Sequence, residues 1–277
     1  QGTFAIAVIA ENEPDTLYAA RKDSPLILGI GNNENYIASD INAITPHTKS
    51  IVYLEDNEIV IMTKKQFKIK KVDGQEINKP VHTIKWDAQS ADKNGFTHFM
   101  LKEIHEQPAV VRRILEKLMH NDKISLKHFN ITDEELITIR RFIIQACGTS
   151  WHAGYYAKYI IERFARILTE VDISSEFRYR EMIADTKDMV IAISQSGETA
   201  DTLACIREAK SKFFKVLSFV NAKESSIARE SDAIIYSYSG QEIGVASTKN
   251  YIAQLLTLLL FSLYLARLRN NIAIEKE

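Results

Sequence analysis

The stretch DMVIAISQSGETADTLACIREAK (Asp188–Lys210) holds an apolar run, a small polar junction and a helix-like run in direct succession. The run MVIA lacks any polar side chain, as a strand covered on both faces of a parallel sheet requires. LACIREAK then reads as a helix. Between the two, ISQSGETADT (Ile193–Thr202) packs Ser194, Ser196, Thr199, Thr202 and Gly197 into ten positions. A buried strand that turns into a helix through such a junction is half of a βαβ unit, and it leaves the hydroxyls at the carboxyl end of the strand.

Reading outward, the same alternation fills the chain from Arg140 onward. RFIIQACG, TEVDIS, DMVIAIS, FKVLSFVN and AIIYSYS read as strands. SWHAGYYAKYIIERFARIL, SSEFRYREM, ETADTLACIREAKSK, SSIARES and TKNYIAQLLTLLLFSLYLARLR read as helices or helical turns. The order implies an α/β fold with a doubly wound parallel sheet and helices on both faces. Ligands of such sheets bind at the carboxyl ends of the strands. Three strand ends are rich in small polar residues: CGTS (Cys147–Ser150), SQSGET (Ser194–Thr199) and, after the last strand, GQEIGVASTK (Gly240–Lys249). All three are expected on one edge.

The middle cluster says most about chemistry. A helix N-terminus presents unpaired backbone N–H groups, and its dipole favours an anion. Gly197 allows close backbone approach, and Ser196 and Thr199, three apart, are expected on one side of the first helical turn. These groups can surround a phosphate without a central Lys or Arg. SGET also resembles a capping box, and one hydroxyl at a helix start needs no more than that. Three hydroxyls and a glycine within six residues, matched by CGTS on another strand end, exceed what a cap uses, so phosphate binding is the favoured reading. SQSGET is not the G-x-S-x-G elbow of a nucleophilic serine, and no histidine supports one. Cys147 reads as a small core residue rather than a reactive thiol.

The first ninety or so residues differ. TFAIAVIA, DTLYAARK, PLILGIG, NYIAS, SIVYLED, EIVIMTKK and FKIKKV are short and often β-branched, and turn signals such as NEPD, GNNEN and VDGQ separate them. They imply a mostly antiparallel sheet. GIGNNEN lacks the third glycine and following helix of a nucleotide loop and reads as a turn. Asp87–Phe99 is polar and aperiodic, a candidate linker. HFMLKEIHEQPAVVRRILEKLMH then shows helical periodicity, with Pro108 expected to kink or restart the helix. Glu103, Glu106, His98 and His105 raise the question of a metal site; a solvated helix face is the expected answer.

The totals exclude several classes. With 277 residues, 45% of them hydrophobic and 26% charged, the chain can bury a core and stay soluble. Its 35 basic and 36 acidic residues give a net charge of −1, which favours neither nucleic acid nor an anionic membrane as partner. Cys147 and Cys205 form no disulfide framework or metal-ligand spacing, which fits a reducing cytoplasm. Tyr251–Ala266 is apolar but short for a bilayer and carries Gln254, Thr257 and Ser262, so it reads as a buried helix. The opening QGTFAIAV, strand-like from the start, reads as part of a longer chain.

ACGTSWHAG, SSEFRYR, ISQSGETADTL, IARESD and GQEIGVASTK, in this order and spacing, resemble the sugar isomerase (SIS) domain of the glutamine–fructose-6-phosphate aminotransferase family. DSPLILGIGNNENYIASD and HFMLKEIHEQP resemble the end of that family's glutaminase domain, an N-terminal-nucleophile hydrolase, and its linker. The resemblance covers nearly the whole sequence. It implies residues 1–90 as the end of the glutaminase domain, 91–130 as linker and leading helices, and 131–277 as the first SIS domain. It further implies an enzyme that moves the amide nitrogen of glutamine to fructose 6-phosphate and forms glucosamine 6-phosphate, with no metal or organic cofactor and assembly as a homodimer through the SIS region. Carried over by position, Thr149, Ser150, Ser194, Gln195, Ser196 and Thr199 would bind phosphate and sugar, and Val245, Ala246 and Ser247 would line the sugar site. The family's cysteine nucleophile, Schiff-base lysine, isomerisation glutamate and ring-opening histidine find no match here, so no catalytic residue is assigned. An independent SIS module that binds or senses a phosphosugar without chemistry is the alternative.

Overall fold

The computed structural model describes Gly2 and residues 4–84, 93–126, 131–183, 185–223 and 225–272. The chain divides into two compact units, 1–92 and 93–277.

The first unit holds two antiparallel sheets. The strands are β1 (Phe4–Ala10), β2 (Glu13–Lys22), β3 (Ile27–Ile30), β4 (Asn35–Ala38), β5 (Ser50–Tyr53), β6 (Glu58–Met62), β7 (Phe67–Lys71), β8 (Glu76–Ile77) and β9 (His82–Thr83), with one helical turn, α1 (Ile41–Ile44). One sheet runs β1-β2-β6-β7-β8 and the other β4-β3-β5-β9. Alternation along β6 is clean: Val60 and Met62 point into a core with Leu28, Val52 and Leu54. GIGNNEN is the hairpin turn between β3 and β4, closed by Gly31 N–H donating to Glu34 O at 2.9 Å. The sequence implied one sheet; the short strands fold into two because β3, β4, β5 and β9 pair among themselves.

The second unit opens with α2 (Phe99–Leu118), the short pair β10 (Met119–His120) and β11 (Lys123–Ile124), and α3 (Asp133–Thr138). Helix α2 runs through Pro108 without interruption, contrary to the expected restart. Of the linker Asp87–Phe99, positions 87–92 lie outside the described residues. The alternating part follows: β12 (Arg141–Ala146), α4 (Gly148–Ile160), β13 (Leu168–Ile173), α5 (Ser174–Phe177), β14 (Asp188–Ser194), α6 (Ala200–Ser211), β15 (Lys215–Val220), α7 (Ser226–Glu230), β16 (Ala233–Tyr236) and α8 (Lys249–Leu268). Helix α4 ends in a π-helical turn, Ile161–Ala165, closed by Arg166 in the left-handed conformation.

The strands form a parallel sheet in the order β13-β12-β14-β15-β16. Alternate residues serve opposite faces. Phe142, Ile144, Ile191, Ile193, Leu217 and Phe219 pack under α2, α4 and α8, while Ile143, Val190, Ala192, Val216 and Val220 pack under α5, α6 and α7. All seven residues of β14 are buried, as its apolar run requires. Helix α8 is long and apolar enough to cross a membrane; here it lies on the sheet, with Ala253, Leu258, Phe261 and Leu265 inside.

Candidate functional site

From β12 the chain crosses to β13 on one side, then returns to β14 on the other. The strand order reverses between β12 and β14, and an open α/β sheet has its ligand crevice at such a switch point, beyond the carboxyl ends of the strands. CGTS follows β12 and SQSGET follows β14, so two of the polar clusters flank this point. Their strands are paired in register, Ala146 beside Ile193.

The SQSGET loop is tightly built. Ser194 is buried, and its hydroxyl accepts the Gly197 N–H at 3.0 Å and lies 3.1 Å from the Thr199 hydroxyl. Ser196 Oγ accepts the Glu198 N–H at 3.2 Å, which leaves its proton for another partner. Helix α6 begins only at Ala200, so Ser196 and Thr199 precede the first turn instead of sharing a side of it as expected. The capping box is also not formed: Thr199 is the N-cap residue, yet its side chain bonds no helix amide. Its hydroxyl is engaged by Ser194 instead. The N-terminus of α6 thus keeps amides with no side-chain cap.

Glu198, the acidic residue of this loop, is engaged by the start of α7. Its carboxylate accepts the Ser226 N–H at the start of α7 at 2.8 Å. Gly197 O accepts from Ile227 N–H at 3.0 Å, and Ser225 caps α7 by accepting from Ala228 N–H. Gly197 has φ +67°, and a Cβ there would lie 2.0 Å from Ser225 Oγ. Only glycine permits both the turn and this approach.

At the head of α4, the N-cap Cys147 also makes no side-chain cap bond. Thr149 is exposed; Ser150 is buried and accepts from Gln254 Nε2 on α8 at 2.9 Å. Asn221, at the end of β15, ties the remaining cluster in. Its N–H donates to Gln195 O at 3.3 Å, its Nδ2 donates to Gly240 O at 2.7 Å, and its Oδ1 accepts from Ser239 N–H at 3.0 Å. The three polar clusters therefore meet on one edge, as the strand order demanded.

The Gly240–Lys249 segment has a different character. Val245 and Ala246 are exposed, and Val245 is fully so. Ser247 Oγ donates to Glu242 Oε2 at 3.0 Å, and Glu242 Oε1 accepts from Thr248 N–H at 2.9 Å and Asn250 N–H at 3.2 Å. The start of α8 is thus filled by a carboxylate of this chain. Glu103 on α2, 2% exposed, accepts from Ile243 N–H at 2.6 Å and Gly244 N–H at 3.1 Å. Glu106 pairs with the buried Lys249 at 2.5 Å. The expected solvated face of α2 is overturned for these two glutamates, which hold the loop. Among the described residues no group of His, Cys, Asp and Glu could hold a metal ion.

Sequence reasoning missed Glu242, Glu103, Gln254, Asn221 and Ser225. Glu242 stands inside a cluster that had been singled out, seven residues before α8 begins. The others act across long separations, Glu103 on residues 140 positions away, and no local pattern marks such partners.

Cys205 lies on the buried face of α6, and its thiol donates to Ser174 O at 2.9 Å. Burial pushes its pKa up to about 12. Ser174 belongs to a buried trio with Gln145 and Thr202 that ties α5 to α6.

Comparison with known proteins agrees with the fold. Residues 135–264 match the SIS domain family. The chain is 46% identical over 277 residues to the glutamine–fructose-6-phosphate aminotransferase [isomerizing] of Caldanaerobacter subterraneus subsp. tengcongensis, covering all of this chain and 46% of that protein. It is 47% identical to the enzyme of the same name from Clostridium tetani, with the same coverage. The chain therefore spans about half the length of these relatives. Among solved structures, the C-terminal domain of glucosamine-fructose-6-phosphate aminotransferase from Francisella tularensis superposes with a TM-score of 0.64 at 40% identity, covering 66% of this chain and 52% of that one. The chain is similar throughout its length to glutamine–fructose-6-phosphate aminotransferases, and its residues 135–264 match the SIS domain family.

Proposed function

We propose that this chain supplies the sugar-phosphate-binding part of an enzyme that transfers the amide nitrogen of glutamine to fructose 6-phosphate, giving glucosamine 6-phosphate and glutamate. One observation carries the binding reading. Among the described residues, three buried side-chain atoms lack a hydrogen-bond partner: Trp151 Nε1, Asn250 Nδ2 and Gln254 Oε1. All three lie in the first two turns of α4 and α8, at the polar edge. Buried polar groups are as a rule satisfied, so orphans at the starts of α4 and α8 favour a reading in which a polar ligand completes the network.

In this reading the phosphate sits at the uncapped start of α6, against Ser196, Thr199 and Gln195, with Thr149 and Ser150 on the neighbouring strand end. Ser194 holds the loop from below. Val245, Ala246 and Ser247 face the sugar. No residue of this chain is given a catalytic role; the chemistry belongs to the rest of the protein. Glutamine as second substrate, a homodimer formed through residues 131–277 and a cytoplasmic setting are parts of the same proposal. So are the assignments of residues 1–90 to a glutaminase domain, 91–130 to a linker and 131–277 to a first SIS domain.

The similarity to aminotransferases extends over both units of the chain, which favours this reading over an independent phosphosugar sensor. Calorimetric titration tests it. Glucosamine 6-phosphate is expected to bind while plain glucosamine does not. Equal binding of both would remove the phosphate cradle and the proposal with it.

A further inference from the structure

The hydrogen bond between Gln254 and Ser150 has a direction. Gln254 Nε2 donates and Ser150 Oγ accepts, at 2.9 Å. Both residues are buried. The serine proton is left over, because Ser150 donates to no described residue. Two buried hydroxyls of α8 behave otherwise. Thr257 donates to Ala253 O at 2.8 Å and Ser262 to Leu258 O at 2.7 Å, each one turn back along its own helix. Ser150 is the third residue of α4, so no helical carbonyl stands one turn behind it. The orientation of the amide leaves Gln254 Oε1 without a partner. Turned over, the amide would set Oε1 against Ser150 and take the serine proton. The unpartnered groups at the starts of α4 and α8 are thus the Ser150 hydroxyl, Trp151 Nε1 and Asn250 Nδ2 as donors, against Gln254 Oε1 as acceptor. Such a set suits a ligand whose oxygens carry no protons.

We propose that Gln254 is a positioning residue: by donating to Ser150 Oγ, it keeps the serine proton free and makes Ser150 a donor to the phosphosugar. The inference rests on the phosphosugar reading above and adds how the strand end of β12 is readied for the ligand. A phosphate oxygen accepts and cannot donate, so a serine whose proton were held within the protein would meet it with lone pairs alone. The same arrangement stands in the SQSGET loop, where Ser196 Oγ accepts the Glu198 N–H at 3.2 Å and keeps its own proton. At Ser150 the donor comes from α8 and is a side chain, so it can be replaced without touching the backbone.

Gln254→Glu reverses the bond with almost no change in shape. The introduced carboxylate only accepts, so the serine proton turns to it. Calorimetric titration of glucosamine 6-phosphate on the full chain compares the unaltered protein with Gln254→Glu, Ser150→Ala and the double variant. Titration at about pH 6 and about pH 9 brackets the ionisation of a carboxyl that burial raises. At the higher pH, Gln254→Glu is expected to bind about tenfold or more weakly, the worth of one hydrogen bond to a charged group. On Ser150→Ala the same substitution should cost much less, since no serine proton remains to be redirected. At the lower pH the loss should shrink, because a protonated carboxyl can again donate to Ser150. Gln254→Met removes the bond but leaves the serine proton free to rotate. It should weaken binding about threefold or less, and that arm stands even where the buried charge prevents folding. Undiminished binding in Gln254→Glu at both pH values overturns the inference and shows a bond that only joins two helices. An equal loss with and without the Ser150 hydroxyl overturns it as an effect of charge alone. So does a loss in Gln254→Met as large as that in Ser150→Ala. An unaltered protein that does not bind glucosamine 6-phosphate, or binds plain glucosamine equally, refutes the phosphosugar reading itself, a result distinct from all of these.

Discussion

The side-chain amide of Gln254, in the second turn of α8, donates to the buried hydroxyl of Ser150 at the head of α4, 2.9 Å away. This bond joins two helices whose starting residues are 101 positions apart, Gly148 and Lys249. It brings the loop after β16 to the strand end of β12. Gln254→Leu would leave the Ser150 hydroxyl buried without its donor. We expect a loss of about 1–3 kcal/mol in urea denaturation. A variant as stable as the parent would show that Ser150 does not depend on α8.

Gly197→Ala is expected to be more damaging. The residue sits at φ +67°, and the new methyl would meet Ser225 Oγ at 2.0 Å. Left-handed strain and the forced shift of the α7 cap together should cost at least about 2 kcal/mol. Thermal unfolding monitored by circular dichroism measures it. An unchanged melting temperature would contradict the close packing of the SQSGET loop on α7.

Ser196→Ala and Ser247→Ala separate the two ends of the site. Ser196 retains a free proton beside the α6 amides, so its loss should weaken glucosamine 6-phosphate about tenfold or more, the worth of one hydrogen bond to a charged group. Ser247→Ala should weaken it less, because the proposed reading sets neutral sugar hydroxyls against Ser247. Titration of both variants decides. A larger effect at Ser247 would place the phosphate at the opposite end.

Cys205 supplies a prediction in pH. Its thiol is raised from an ordinary value near 9 to about 12 by burial, so the folded state holds the proton more tightly than the unfolded chain. The contribution to stability is fully present below pH 9 and is lost as pH rises from about 9 toward 12. At pH 8 the thiolate fraction is on the order of one in ten thousand. Iodoacetamide with peptide mapping should therefore label Cys205 only after denaturation. Rapid labelling of the folded chain would show that α6 opens.

Much of this was legible in the sequence because it is local. The apolar run of β14 and the helices around it set the parallel sheet, and the hydroxyls of Cys147–Ser150 and Ser194–Thr199 fell on one edge by topology alone. What escaped notice depends on distance. Glu103 and Glu106 looked like a solvated stripe, since their partners, Ile243, Gly244 and Lys249, follow more than a hundred residues later. The capping pattern in SGET, the less favoured reading, forms no cap for a different reason: Ser194, buried at the end of β14, engages the Thr199 hydroxyl that a cap would have used. Pro108 did not break α2, because loss of one N–H and a local clash can be carried by a helix whose apolar face is anchored by Val110, Ile114 and Leu118.

A crystal structure of the chain with fructose 6-phosphate tests the central claim most directly. The account predicts phosphate oxygens at the start of α6, within hydrogen-bond distance of Ser196 and the uncapped amides, with the sugar hydroxyls directed toward Ser247. Phosphate density beside Ser247 and Glu242, or a sugar bound away from the β12–β14 switch point, would contradict it.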